Sequence, residues 1–227
     1  MTDARMHRPI RLGLTLLIAT LAAVAALAVA GGHDAQAHGE PAANGTVTTS
    51  ELALRQGMRS LWEDHVSWTR LAIISLATGS PDTKATVARL LRNQSDIGDA
   101  IKPYYGAKAG TALTGLLRAH ILIAADLVAA AKAGDRSELA TEQKAWQRNA
   151  DTIAGFLNKA NPAAWKRGEM ESMLQSHLAL TTQEVVARLQ GKWSADVRAY
   201  DAIVKQALGM ADMLSEGIID QFPARFA

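Results

Sequence analysis

Three histidines, His65, His120 and His177, each stand fourteen residues before a glycine: Gly79, Gly134 and Gly191. The histidines recur at intervals of 55 and 57 residues, each near the midpoint of a long segment with a mostly apolar face, and His120 sits in the apolar run LLRAHILIAAD (116–126). Runs of this spacing read as helices with one buried face, and a glycine just past the last apolar turn reads as a left-handed stop. After each glycine a second segment opens in a related way: LLRNQSDIGDAI (90–101), AWQRNADTIAGFL (145–157) and DVRAYDAIVKQAL (196–208). Equal offsets and a shared echo predict three tandem helical hairpins of about 55 residues each.

The fold expected from this pattern is all-α, a six-helix bundle. No segment alternates with period two, and no Val/Ile/Thr-rich run lies between turn signals. Breaks at TGSPD (78–82), KPYYGAKAG (102–110), KAGD (132–135), NKANPAAWKRG (158–168) and QGKWS (190–194) place the helices near 50–77, 83–101, 110–132, 137–158, 166–190 and 194–221. Ser50, Asp82, Ser137 and Ser194 are the expected N-terminal signals. With 48% hydrophobic but only 5% aromatic residues, the core rests on Ala and Leu, which permits close helix approach.

The N-terminal region reads as a targeting segment. Arg5, Arg8 and Arg11 precede an apolar run at 12–30, and Ala35-Gln36-Ala37 supplies the small-residue cleavage pattern. The expected organisation is a signal peptide over 1–37, a flexible leader over 38–49 and a bundle domain over 50–227, exported to the periplasm or beyond. An uncleaved apolar run would instead anchor the domain at the membrane. Cleavage would leave His38 at the new terminus, where amine and imidazole together can chelate copper. A net charge of +2 with scattered Lys and Arg points to neither nucleic acid nor an anionic membrane as partner. Cysteine is absent, which removes disulfides, thiolate metal sites and covalent haem attachment.

His65, His120 and His177 are the candidate metal ligands. Their same-face neighbours are mostly apolar, so the rings are expected to point inward at mid-bundle depth, where bundles build metal and cofactor sites. Asp201 and Tyr200, beside an inward face set by Val197, Val204 and Leu208, are the candidates to complete the shell, with Glu184 a further one. Asn93 and Asn149 share inward faces with Ile97 and Ile153 and are expected to orient imidazoles by hydrogen bonds. Imidazole suits Cu, Zn, Ni or Fe. Haem b with His and Met ligation stays open, because Met58, Met170, Met173, Met210 and Met213 lie in apolar stripes. No Glu precedes any of the three histidines by three residues, so a di-iron carboxylate site is excluded. Signatures of metalloproteases, serine hydrolases, P-loops and dinucleotide folds are absent.

The stretches LWEDHVSWTR, RLLRNQSDIGDAIKPYYG, LLRAHILIAADLVAAAKAGD and MADMLSEGIIDQFP together resemble a family of exported bacterial helical-bundle proteins with no established activity. The resemblance spans most of 52–223; it implies an all-helical fold and assigns no functional residue. The reading that follows is an exported bundle binding a metal ion, or a metal-containing cofactor, through the three histidines. Two alternatives remain: a structural or protein-interaction module with a buried His/Asn network and no metal, and a small metal-dependent enzyme. Another envelope protein is a candidate partner, and the number of subunits is left open.

Overall fold

The structure, a computed structural model, describes residues 47–227. The expected signal peptide, and all but the last three residues of the expected leader, lie outside them. Five helices follow one another: α1 (Thr49–Thr78), α2 (Thr83–Ala133), α3 (Arg136–Ala160), α4 (Arg167–Leu189) and α5 (Trp193–Gln221), with a short 3-10 turn at Pro223–Arg225. No strand occurs among the described residues. Each helix packs on the next, and α5 returns against α1, so the elements close into a ring around a common core.

The element count differs from the expected six because the nine-residue break at 102–110 shrinks to one residue. Gly106 alone leaves helical conformation, at φ 83° and ψ 164°, and α2 bends there into two helical halves. Twelve residues of straight helix span about 18 Å. Yet a side chain on Gly98 would stand 2.7 Å from the carbonyl oxygen of Gly110, so the halves fold back on each other. Helix persists up to the bend because Tyr104 and Tyr105 are anchors rather than loop residues. Tyr104 stacks on Phe226, and Tyr105 meets Trp165 and Phe222. By length and composition α2 could cross a membrane, but here it is bent and packs against α1 and α3.

The glycine stops fall where the spacing puts them. Gly79, Gly134 and Gly191 have φ of 72°, 78° and 68°. In each case the residue after the glycine donates to a carbonyl four positions before it: Ser80 to Ser75, Asp135 to Ala130, Lys192 to Ala187. That bond satisfies a carbonyl left over at the helix end.

The starts are less well read. Thr48, not Ser50, caps α1, because Glu51 stands three residues on and closes a reciprocal box with the Thr48 N–H and hydroxyl. Asp135, not Ser137, caps α3, its carboxylate accepting from the Ser137 and Glu138 N–H groups. Asp82 precedes α2 without a side-chain cap and accepts from Ser75 instead. At α5 the first helical residue is Trp193, ahead of Ser194.

The fold-back at Gly98 is testable. A Cβ there would also meet Thr114 Oγ1, whereas one on the exposed Gly57 would meet nothing within 4 Å. Gly98→Ala is expected to destabilise by about 1–3 kcal/mol, a Tm drop of roughly 3–10 °C. Gly57→Ala should be neutral or stabilising by up to about 1 kcal/mol. Equal melting temperatures for the two variants would contradict the close contact.

Candidate functional site

His65 lies on α1, His120 on the second half of α2 and His177 on α4, and all three are buried, at 4%, 5% and 5% exposure. The rings meet. The centres of His65 and His177 are 6.0 Å apart, and those of His120 and His177 6.3 Å, so His177 is the shared neighbour.

Each ring is held from the next helical segment by a carboxamide 29 residues further along. Asn149 Oδ1 lies 2.8 Å from His120 Nδ1, while its amide nitrogen donates to the Leu116 carbonyl at 3.1 Å. Gln206 Oε1 lies 3.1 Å from His177 Nδ1, and its nitrogen donates to the Met173 carbonyl at 3.2 Å. In both cases the accepting carbonyl is four residues before the histidine. That nitrogen contact fixes which end of the amide faces the ring, so Nδ1 carries the hydrogen. At His65 two residues share the task. Asn93 donates to the Leu61 carbonyl at 3.0 Å, and Gln94 Nε2 lies 3.2 Å from the His65 Nδ1. Gln94 Nε2 also donates to Leu90 O at 2.9 Å and Asn93 Oδ1 at 3.0 Å. An amide nitrogen only donates, so Nδ1 of His65 faces a donor where those of His120 and His177 face carbonyl oxygens.

The far edges of the rings differ. Trp146 Nε1–H donates to His120 Nε2 at 3.1 Å, so the third lone pair is occupied. Among the described residues no hydrogen bond reaches Nε2 of His65 or His177. Two buried polar atoms near His65 also lack partners: Trp62 Nε1, whose ring sits edge-on at 5.4 Å, and Gln94 Oε1. Apolar cavities flank the histidine layer. One of about 50 Å³ is lined by residues preceding the histidines, among them Met58, Trp62, Leu117 and Met173. Another of about 40 Å³ is lined by residues following them, among them Ile73, Val128, Trp146 and Val185.

In this setting the imidazoles are neutral. Burial, with His177 and His120 adding to it, lowers His65 to about 3. Burial and the neighbouring His177 lower His120 to about 4, and burial lowers His177.

Asn149 takes the orienting position read from its stripe, while Asn93 donates to the Leu61 carbonyl and accepts from Gln94, whose amide nitrogen faces the His65 ring. Asp201 and Tyr200 do not join the histidines. Asp201 is exposed, and the half-buried Tyr200 ring lies under the Arg70 guanidinium at 4.6 Å. The register of α5 explains the difference. Its inward face carries Asp196, Ala199, Ile203, Ala207 and Met210, one position away from Val197, which is 49% exposed. Asp196 is buried because Arg70 and Arg188 pair with it, at 3.1 and 2.7 Å. Glu184 is buried too, 2.7 Å from Arg70, and burial outweighs that arginine in raising its carboxyl to about 7. Both acids are thus engaged by arginines. Among the described residues no three His, Asp or Glu side chains are spaced to hold one ion together. Gln94, Gln206 and Trp146 were not anticipated; the offset of 29 residues, applied to all three histidines, would have found the two glutamines.

In comparisons with known proteins the chain matches no family model, no curated protein and no solved structure. The resemblance described above therefore rests on its sequence stretches alone.

Acid should unfold this layer. A histidine whose folded pKa is lowered stabilises fully above its unfolded value near 6.5 and loses that contribution as pH falls towards the folded value. His65 and His120 each take up a proton on unfolding between about pH 6 and 4.5, His177 adds uptake in the same direction, and Glu184, raised to about 7, releases one. A net uptake of at least one proton lowers stability by at least about 1.4 kcal/mol per pH unit. Urea unfolding at several pH values measures this; a flat profile from pH 7.5 to 5 would contradict the buried neutral layer.

Proposed function

We propose that this chain is an exported bundle of three tandem helical hairpins that binds a transition-metal ion, drawn from Cu, Zn, Ni and Fe, at the histidine layer. The observation that carries the proposal is the meeting of buried imidazoles from three helical segments, with the Nδ1 edge of each occupied by a carboxamide. A hydrogen bond at one ring nitrogen fixes the tautomer and aims the other nitrogen, the arrangement usual around metal-bound histidine. Neutral imidazoles are ready ligands at pH 7, and the Nδ1–H tautomer of His120 and His177 leaves no proton to displace from Nε2 there. Support for the repeat comes from the equal 29-residue offsets and the three matched glycine stops. Export rests on the segment over 1–37, outside the described residues.

Haem gains no support, because cofactor pockets run to roughly 300–1,000 Å³ and the cavities beside the layer are about 50 and 40 Å³. A second reading, a structural or interaction module with a metal-free polar layer, is favoured by one contact. Trp146 occupies the third ring nitrogen, and a fully bonded buried histidine needs no ion.

Elemental analysis of the full chain, purified without a histidine tag, decides between them. About one equivalent of metal, lost in His177→Ala with helicity retained, is the expected result. No metal after loading with Cu, Zn, Ni and Fe, in a folded protein, would sink the metal reading and leave the structural one.

A further inference from the structure

We infer that the larger of the two apolar cavities is a binding site for one small apolar molecule, of the size class of the dissolved gases. Size, wall chemistry and the engagement of nearby polar groups point to it, with or without an ion at the histidines.

The size admits a guest and limits it. The cavity measures about 50 Å³. A single water needs roughly 10–15 Å³, and an apolar cavity of roughly 150 Å³ takes up benzene. One heavy atom, or a molecule of two or three, therefore fits here; an aromatic ring or an acyl chain does not.

The wall is apolar and polarisable. All five helices contribute to it, and three of the side chains are methionines: Met58 of α1, Met173 of α4 and Met210 of α5. Methionine is the side chain best able to bend into a gap, yet three of them leave this one open. Their thioether sulfurs are soft, which favours dispersion contact with a polarisable guest.

Water is disfavoured. A buried water takes two to four polar partners, and three wall residues carry side-chain nitrogen or oxygen. The Tyr105 hydroxyl donates to the exposed Gln221 at 2.7 Å. The Trp165 indole nitrogen lies against α5, where a Cβ on Gly217 would stand. Only Trp62 Nε1, unpartnered among the described residues, is left, and one donor does not hold a water. The smaller cavity, about 40 Å³, differs in this respect, since Thr69, Thr181 and Thr182 supply hydroxyl groups among its lining residues.

A guest has a short way in. Tyr105, Phe156 and Ala160 belong to the wall and are only half-buried, so side-chain motion there admits a small molecule without unfolding.

The test is a titration of the full chain, isotope-labelled at its methionine methyl groups, with dissolved xenon followed by NMR. Shifts that saturate are expected at Met58, Met173 and Met210, with much smaller ones at Met170 and Met213, which lie outside the wall. Leu214→Phe, which adds carbon to the wall, should abolish the saturable shifts. Benzene titration and methyl–water cross-relaxation are measured on the parent chain, so a variant that fails to fold does not remove the test. Xenon shifts that rise linearly at every methionine, a long-lived water in contact with the three methyls, or benzene saturating those methyls would each overturn the inference and leave the metal reading untouched.

Discussion

The bundle turns on one repeated contact: a carboxamide reaches across from a neighbouring helical segment, accepts from a buried imidazole, and anchors its own nitrogen on the carbonyl four residues before that imidazole. Burying an imidazole without partners costs on the order of 1–3 kcal/mol. The carboxamide offsets part of that cost and ties two segments in a defined register, because the donor and both acceptors must align together. The tie is made twice, at His120 and at His177. At His65 the tie is divided between Asn93 and Gln94, and it is there that unpartnered atoms remain, on Gln94 and Trp62.

Polar groups in this core occur in layers. The histidines form one, between apolar cavities. Further along, Arg70 of α1, Glu184 and Arg188 of α4 and Asp196 of α5 form a second, charged one. In a low-dielectric interior each carboxylate needs a cation beside it, and the arginines supply it. The consequence for chemistry is a division of labour: carboxylates are spent on structure, and the imidazoles are left as the neutral donor set. Trp146 divides the set again by bonding to one of the three outward-facing nitrogens.

Features governed by backbone geometry were legible in the sequence. Gly79, Gly134 and Gly191 were readable because a left-handed stop admits few residues, and the depth of the three histidines because helical spacing fixes a face. Features governed by pairing between distant residues were not. Val197 looked inward because it is apolar, but Asp196 takes the interior once Arg70 and Arg188 neutralise it, and that turned the expected face of α5 and left Asp201 in solvent. Gln94 and Gln206 carry no signal of their own, because glutamine is usually a surface residue. The break near Gly106 was placed correctly but drawn too wide, since Tyr104 and Tyr105 pack on aromatics from the far end of the chain.

The central claim is that three imidazoles from three helical segments meet as a buried neutral layer, with His120 and His177 protonated at Nδ1. Long-range proton–nitrogen NMR of the metal-free chain at pH 7 tests it directly, since it reports tautomer and charge ring by ring. The account predicts neutral rings for His65, His120 and His177, the last two as Nδ1–H tautomers, with the Nε2 resonance of His120 displaced by the Trp146 hydrogen bond and restored in Trp146→Phe. A cationic ring among the three, or one exchanging tautomers as it would in water, would contradict it.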